Sequence, residues 1–225
     1  MTRALVLTAV DVEARGLARH LGLARMPESP WPHFAAGALE IACVGLRASQ
    51  LAARAAALRA FDIVISAGAC GALAPGLGAG DLVVPELVVD ARGRRFAAAP
   101  LRRLPASGTL VTVAHVVETA AQKSRLWLET GACAVDMESA HVLAWAAERG
   151  MPGAVIRAVS DGAERGVPAA LAASVGDDGR VRPLRAVTAA LGRGAAFADL
   201  VQLRAGTDAA LKTVAAALAA LVRQA

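Results

Sequence analysis

The stretch Cys133–Ala163 reads CAVDMESAHVLAWAAERGMPGAVIRAVSDGA, and the rest of the chain is interpreted around it. The apolar run Ala132–Val135 predicts a short strand. Acids follow it at the start of a helix, where the helix macrodipole favours negative charge. That helix ends at a glycine followed by a proline, both of which are typical stop signals. A second strand is predicted over Ala154–Val159, and it ends abruptly at Ser160-Asp161-Gly162.

Two carboxylates follow the two predicted strands of this stretch, which are expected to be neighbours in the sheet. Glu138 comes after the first strand and Asp161 after the second. In an open α/β sheet ligands bind at the carboxyl ends of the strands. Two acids there suit cleavage of a bond at a sugar carbon, since one can bind hydroxyls while the other protonates a leaving group. Either acid alone is better explained as a helix-start charge or a turn residue, but the two together favour a functional site.

The same residues resemble a known family. V-D-M-E-S-A followed by V-I-R-A-V-S-D is similar to the purine nucleoside phosphorylase and methylthioadenosine/adenosylhomocysteine nucleosidase superfamily. The nearest branch by overall look is the hopanoid-biosynthesis-associated phosphorylases. The resemblance implies that Met137 and Glu138 contact the ribose, and that Ser160 and Asp161 serve the purine ring.

A third acid lies at the first strand–helix turn. Ala4–Ala9 predicts a buried parallel strand, and Asp11 can cap the helix that follows. The GxGxxG fingerprint of a Rossmann dinucleotide site is absent from this turn. From the residues alone, Glu13 is a solvated helix-start acid. The resemblance instead implies that Glu13 is the glutamate that activates water in nucleosidases.

A glycine-rich loop follows the predicted strand Asp62–Gly68 and leads to the segment GDLVVP at residues 80–85. Glycines allow backbone N–H groups to approach a ligand closely. The pattern resembles the superfamily's strand-end motif and implies that Gly68, Ala69 and Gly71 contact the substrate. An ordinary glycine-rich connection is the alternative.

One departure from the family bears on the choice between phosphate and water. Hexameric bacterial phosphorylases carry an arginine and a serine in this motif to hold phosphate, and the matching positions here are Ser66 and Ala69. Two charge-assisted or hydroxyl contacts are therefore missing. Backbone amides and Arg47, which follows a glycine turn, could compensate. The loop otherwise favours a nucleosidase that uses water.

The remaining elements are predicted from periodicity and composition. A helix is expected over Ala48–Ala60, an exposed excursion over residues 88–105, a strand over Leu110–Val117 and a helix from Thr119 to Thr130. On this strand, His115 is more often structural than catalytic. In the helix, Trp127 could stack on a base, although packing explains it better.

The C-terminal part of the chain is predicted to hold a loop and two helices. Residues 162–183 form a long segment that is either a lid over the site or a disordered loop. A helix follows over Leu184–Ala205, and Thr207 caps the last one. The apolar stripe of that last helix, which includes Leu211 and Leu218, predicts core packing.

Composition bounds the broad class of protein. At 225 residues with 56% hydrophobic residues, the chain is expected to form a single domain over 1–225. Aromatic residues are only 3%, and the charge of +5 is dispersed, which argues against a nucleic-acid partner. Three cysteines without a CxxC pair indicate free thiols. Neither a secretion signal nor a membrane-spanning run is predicted, so a cytoplasmic setting is expected, with peripheral membrane contact left open for a lipid substrate.

Strands alternating with helices predict a three-layer α/β/α domain with a mixed, twisted sheet. The resemblance implies the phosphorylase/nucleosidase fold, a small-molecule nucleoside as partner, and a homo-oligomer. The hypothesis is cleavage of a purine N-glycosidic bond, for example in adenosylhopane, in which burial beside an apolar strand end keeps Asp161 protonated for donation to the base. No metal or cofactor is expected, except phosphate as co-substrate in a phosphorylase. A general purine nucleoside phosphorylase, a methylthioadenosine/adenosylhomocysteine nucleosidase and a non-catalytic nucleoside-binding module remain as alternatives.

Overall fold

The computed structural model describes residues 2–102, 104–167, 175–181 and 194–222. These residues form one mixed sheet with helices on both faces, as the sequence predicted. The strands are β1 (Ala4–Thr8), β2 (Ala24–Arg25), β3 (His33–Ala36), β4 (Leu39–Cys43), β5 (Ile63–Ala72), β6 (Leu82–Val83), β7 (Leu87–Asp90), β8 (Arg95–Ala97), β9 (Thr109–Thr112), β10 (Ala134–Asp136) and β11 (Gly153–Asp161). The helices are α1 (Asp11–Leu21), α2 (Leu51–Arg54), α3 (Ala120–Thr130), α4 (Ser139–Ala147) and α5 (Gly194–Val222).

The long central strand β5 changes its partner along one edge. Its first residues pair in parallel with β1, and its last two pair antiparallel with β10. Its other edge pairs in parallel with β11 over most of its length. Because β1 and β10 approach the middle of β5 from opposite directions, their carboxyl ends meet there. The expectation of two neighbouring strands was wrong, since β10 and β11 lie on opposite edges of β5.

Helices cover both faces of the sheet, which explains the continuous apolar run of β1. Leu5 and Leu7 pack on one face in a cluster with Trp145 of α4. Val6, between them, packs on the other face with Leu17 of α1 and Leu211 of α5. Successive side chains of a strand point to opposite faces, so the four residues Leu5–Thr8 are all buried only because both layers are present.

The helix α5 is continuous where the sequence predicted two helices. Thr207 does not cap a helix, because its hydroxyl donates to the carbonyl of Leu203 one turn earlier. Such a bond is typical of threonine inside a helix. Leu211 and Leu218 are buried as predicted. The earlier part of the predicted helix, residues 184–193, lies outside the described residues.

Three other local predictions were wrong. The helix expected over Ala48–Ala60 is reduced to the four residues of α2 between two 3-10 turns, because only Leu51 of α2 is buried and gives it a core contact. The excursion at residues 88–105 contributes β7 and β8 to the sheet. The strand expected over Leu110–Val117 ends at Thr112, so His115 lies in the following loop.

Two further predictions concern the cysteines and membrane-spanning helices. Cys43, Cys70 and Cys133 are free thiols. No helix among the described residues combines the length and the apolar character that crossing a bilayer requires.

Candidate active site

A cavity of about 200 Å³ lies beside the middle of β5, where β1 and β10 end. It contains the carboxylates that sequence analysis singled out, although they come from distant parts of the chain. The predicted site residues in its wall are Glu13, Ala69, Gly71, Met137, Glu138, Ser160 and Asp161. Gly68 is not among the lining residues. His115, expected to be structural, is exposed and also forms part of the wall.

Glu13 is buried in the first turn of α1, with 4% of its surface exposed, so it is not a solvated helix-start acid. One carboxylate oxygen accepts the backbone N–H groups of Ala9 and Val10 at 3.1 and 3.3 Å. The other accepts the N–H of Ala69 at 2.9 Å. Burial raises the pKa of Glu13, opposed by the Arg157 guanidinium and by these N–H donors. The carboxylate is therefore held in one orientation.

Gly68 packs against Glu13 and does not face the cavity. Its φ of 151° is a conformation that other residues rarely adopt. A β-carbon there would lie 2.5 Å from Oε1 of Glu13 and 2.9 Å from Nη1 of Arg157. The glycine motif at this position thus makes room for an acid and an arginine, and the predicted substrate contact of Gly68 has no counterpart in the cavity wall.

Glu138 occupies the N-cap position of α4 without a side-chain capping bond, and it is also buried. Its Oε1 accepts the backbone N–H of Arg47 at 3.0 Å. Burial raises the pKa of Glu138 to about 7, opposed by Arg157 and reinforced by the carboxylates of Asp136 and Glu13. Near neutral pH such a carboxyl group is present in both forms. The protonated form can donate a hydrogen bond to a sugar hydroxyl, and the ionised form can accept one from it.

Arg157 is the buried cation between these acids, with 1% of its surface exposed. Its Nη2 lies 2.7 Å from Oδ2 of Asp136 and 3.6 Å from Oε2 of Glu138. The hydroxyl of Ser66 is 2.9 Å from Nη2. Sequence analysis gave Arg157 no role in the site and treated Asp136 only as an acid at the start of a helix. The signal was available, because a charge inside an apolar run must find a partner when it is buried.

Asp161 has a different environment from the apolar one expected for it. Ser160 donates its hydroxyl to Oδ1 at 2.6 Å, and Lys123 donates to Oδ2 at 2.5 Å. Lys123 belongs to α3, and only 1% of its surface is exposed. It was missed in the sequence, although it precedes the inward-facing Leu126 by three positions and so lies on the same helix face.

The Arg47 side chain does not line the cavity and instead contacts the segment 175–181. Its guanidinium pairs with the carboxylate of Asp177. The described segment 175–181 is held by further hydrogen bonds, since the Leu46 N–H and the Ser49 hydroxyl both donate to the carbonyl oxygen of Asp177. This part of the predicted 162–183 lid is therefore bound to the turn whose Arg47 N–H contacts Glu138, whereas residues 168–174 and 182–183 lie outside the described chain.

A second, larger cavity of about 900 Å³ adjoins the first and shares Ser160, Asp161 and Val167 with it. Its wall includes Trp127 of α3, which is 37% exposed and does not reach the cavity that holds the three acids. Within the described ranges, no group of three or more His, Cys, Asp or Glu residues is arranged to hold a metal ion.

The acids of the cavity lie in two different electrostatic surroundings. Two buried acids, Glu13 and Glu138, have raised pKa values and share one arginine. A third acid, Asp161, is held by a lysine and a serine. Acids in such contrasting surroundings can divide acid and base roles between them.

Comparison with known proteins bears on the family and the fold. The sequence model of the phosphorylase superfamily matches residues 97–192, which contain α3, α4 and the strands that carry Glu138 and Asp161. The superfamily resemblance is confirmed. No curated protein sequence matches the chain.

Solved structures share this fold over the whole chain at low identity. One is 5'-methylthioadenosine/S-adenosylhomocysteine nucleosidase from Neisseria meningitidis in complex with methylthio-immucillin-A (17% identity, 100% of both chains, TM-score 0.71). A second is futalosine hydrolase of Helicobacter pylori (16% identity, 100% of this chain and 98% of that one, TM-score 0.71). A third is a point mutant of the Helicobacter pylori MTAN with 5'-methylthioadenosine in the active site (16% identity, 100% of both chains, TM-score 0.69).

Proposed function

We propose that this protein hydrolyses the N-glycosidic bond of a purine nucleoside. The observation that carries the proposal is the meeting of Glu13, Glu138 and Asp161 in one cavity beside β5. The superfamily match and the nucleosidase structures with the same fold support it. In this reading Glu138 and Met137 hold the ribose, while Asp161 and Ser160 face the base.

The chemistry follows the dissociative course of glycoside cleavage. As the bond between C1′ and the base nitrogen breaks, positive charge develops on the sugar and negative charge on the base. Glu13 takes a proton from the attacking water, and Asp161 provides a proton to the base. General acid or base help of this kind contributes about 10²–10⁴-fold each. The buried carboxylates also stabilise the oxocarbenium-like sugar because they lie in surroundings of low dielectric.

Water is favoured over phosphate as the nucleophile. The Ser66 hydroxyl is buried against Arg157, and the N–H of Ala69 is already donated to Glu13. The Arg47 guanidinium is paired with Asp177. Arg47 and the Ala69 amide, two of the groups that sequence analysis offered as substitutes for the missing phosphate contacts, are therefore engaged elsewhere, which argues against the phosphorylase alternative.

The purine is proposed to be adenine, and the sugar to carry a 5′ substituent. Adenosylhopane is the candidate that the hopanoid-branch resemblance suggests, and methylthioadenosine is the ligand named in one structure of the same fold. The homo-oligomer, a lipid substrate and peripheral membrane contact stay predictions.

An assay of base release tests the proposal. The purified chain is incubated with adenosine, methylthioadenosine, adenosylhomocysteine and adenosylhopane, each with and without phosphate, and free adenine is measured. We expect release from at least one substrate at a rate that phosphate does not change, with the free sugar as the second product. A sugar 1-phosphate formed only in the presence of phosphate would establish the phosphorylase instead.

The variant Asp161→Asn separates an enzyme from a binding module. The amide keeps the shape of the side chain but cannot supply the proton, so turnover should fall by about 10²–10⁴-fold, while nucleoside binding, measured by calorimetry, is largely kept. Asp208→Asn, at an exposed position of α5, is the matched control. A wild-type protein that binds nucleosides and releases no base from any of them would support the non-catalytic module.

A further inference from the structure

Lys123 stands out among the cations of this chain. The sequence holds 24 lysines and arginines, and only Lys123 and Lys212 are lysines. Lys212 is exposed on α5, whereas Lys123 is 1% exposed and reaches the cavity from α3. A buried lysine is costly unless its ammonium group is fully paired, so its presence here requires an explanation.

The contacts of Lys123 account for every N–H of its ammonium group. Nζ donates to Oδ2 of Asp161 at 2.5 Å, to the Asp161 carbonyl at 3.2 Å and to the Gly162 carbonyl at 2.8 Å. An ammonium group has three donors and no acceptor. Lys123 therefore rests in its charged form against the aspartate proposed to serve the base.

The absence of a side chain at Gly71 leaves room for the contact between Lys123 and Asp161. A β-carbon added to Gly71 would lie 3.1 Å from Oδ2 of Asp161 and 3.3 Å from Nζ of Lys123. The other carboxylate oxygen of Asp161 accepts the Ser160 hydroxyl at 2.6 Å. Both oxygens of the carboxylate thus have a donor, and the Asp161–Lys123 pair holds the proton on the lysine side.

We propose that Lys123 is the proton reservoir for the departing base, a positioning residue that acts through Asp161. This inference rests on the proposed function. An entering base displaces water, and removing water disfavours the charged pair relative to the neutral one. The proton then moves from Nζ to the Asp161 carboxylate. The neutral carboxyl group delivers it to the base as the C1′–N bond breaks and the electron pair of that bond goes to the base.

The proton count closes over one turnover. Nζ–H is broken and a base N–H is formed, while the water that attacks C1′ gives its own proton to Glu13. After the products leave, Glu13 releases that proton to solvent and Lys123 recovers one. The identity of the residue matters, because an arginine would pair equally well with Asp161 but does not release a proton in proteins.

Two substrates with different leaving groups test the proposal. A purine nucleoside that the wild-type protein cleaves needs a proton on its base, whereas 4-nitrophenyl β-D-ribofuranoside releases a stable anion that needs none. With Lys123→Met, we expect turnover of the nucleoside to fall by about 10²–10⁴-fold and turnover of the nitrophenyl riboside to be little changed. Lys212→Met, the other lysine of the chain, should change neither.

A second variant covers the case in which Lys123→Met does not fold. Lys123→Gln keeps an N–H donor on the same helix face and cannot surrender a proton, so the same selective loss is expected. Equal losses on both substrates, or no loss on either, would overturn the proposal and leave Lys123 a structural residue. A wild-type protein that cleaves no nucleoside would instead overturn the proposed function, so the two failures are distinguishable.

Discussion

The two ends of the cavity treat their carboxylates in opposite ways. At one end Glu13 and Glu138, together with Asp136, are arranged around a single guanidinium, that of Arg157, and burial raises the pKa values of both glutamates. At the other end Asp161 has a cation of its own. The first arrangement gives acids that hold their protons more tightly than free glutamates do, and the second gives a carboxylate with a proton source beside it. The contrast matches a reaction in which water and sugar hydroxyls meet one end and the leaving base meets the other.

The largest effect is expected where one cation serves several acids. Arg157→Met leaves Asp136 without its 2.7 Å partner in a buried site. Breaking a buried ion pair by removing one partner costs about 3–5 kcal/mol. Chemical denaturation should therefore show a loss of this size in the free energy of unfolding, together with loss of nucleoside cleavage.

The matched control is Arg125→Met, which removes an arginine that is 79% exposed and paired with Glu129 on the surface of α3. We expect its unfolding free energy to stay almost unchanged, because exposed ion pairs contribute little. If Arg157→Met were as stable as this control, the acids would not depend on a shared cation, and the contrast between the two ends would fail.

A second variant asks whether the sugar end activates the nucleophile. Glu13→Gln keeps the size of the side chain but cannot accept a proton from water, so hydrolysis should slow by about 10²–10⁴-fold. Nucleoside affinity should be kept, because the base end is untouched. Steady-state kinetics and calorimetry check the two parts, with the exposed Glu148→Gln as control. Hydrolysis by Glu13→Gln at the wild-type rate would remove Glu13 from the mechanism.

The smallest effect concerns pH. The pKa of Glu138 is about 7 in the folded chain and 4.5 for the free group, so this carboxyl group stays protonated to a higher pH in the folded state than in the unfolded state. Between these values the unfolded state binds fewer protons, so the free energy of unfolding falls as pH rises from about 4.5 to 7 and then levels off. The contribution is on the order of 3 kcal/mol across this interval.

Glu138→Gln removes this contribution, and denaturation curves at pH 5, 6, 7 and 8 should show a shallower decline than in the wild type. Glu13 contributes with the same sign in both proteins, since burial also raises its pKa. Asp90, whose pKa is lowered by Arg94, titrates below this range and does not interfere. Identical slopes for the two proteins would show that Glu138 is ionised throughout, like an ordinary surface glutamate.

Sequence reasoning found the site through motifs that are contiguous along the chain. The segments around Glu138 and Asp161 could be read because each strand and its following acid lie within a few residues of each other. The partners of these acids, Arg157 and Lys123, could not be predicted in this way. They come close to the acids only in the folded sheet, in which β10 and β11 lie on opposite edges of β5. The antiparallel direction of β10 depends on pairing between distant residues, which local periodicity does not encode.

The buried strands could be predicted for a similar reason, and the predictions of other elements were wrong where contacts between distant residues decide the structure. Continuous apolar runs such as β1 identify buried strands whatever their partners are. The continuous helix α5 was missed because Gly206 and Thr207 together resemble a helix boundary. A glycine there has a tertiary reason, since a β-carbon on Gly206 would lie 2.0 Å from the carbonyl oxygen of Ser160. Close packing of α5 against the strand that carries Asp161 therefore explains a residue that local propensity disfavours.

The contact between α1 and α5 has a consequence for biosynthesis. Leu211 lies against Gly16, and α5 supplies Val214 and Leu218 to the same core cluster as β1 and α1. A nascent chain emerging from the ribosome would expose the part of this apolar face that α1 leaves uncovered until α5 has been synthesised. Contacts between residues so far apart slow folding and leave partly formed species prone to aggregation. We therefore expect ribosome-bound intermediates of this protein to recruit chaperones until residues 194–222 have been synthesised.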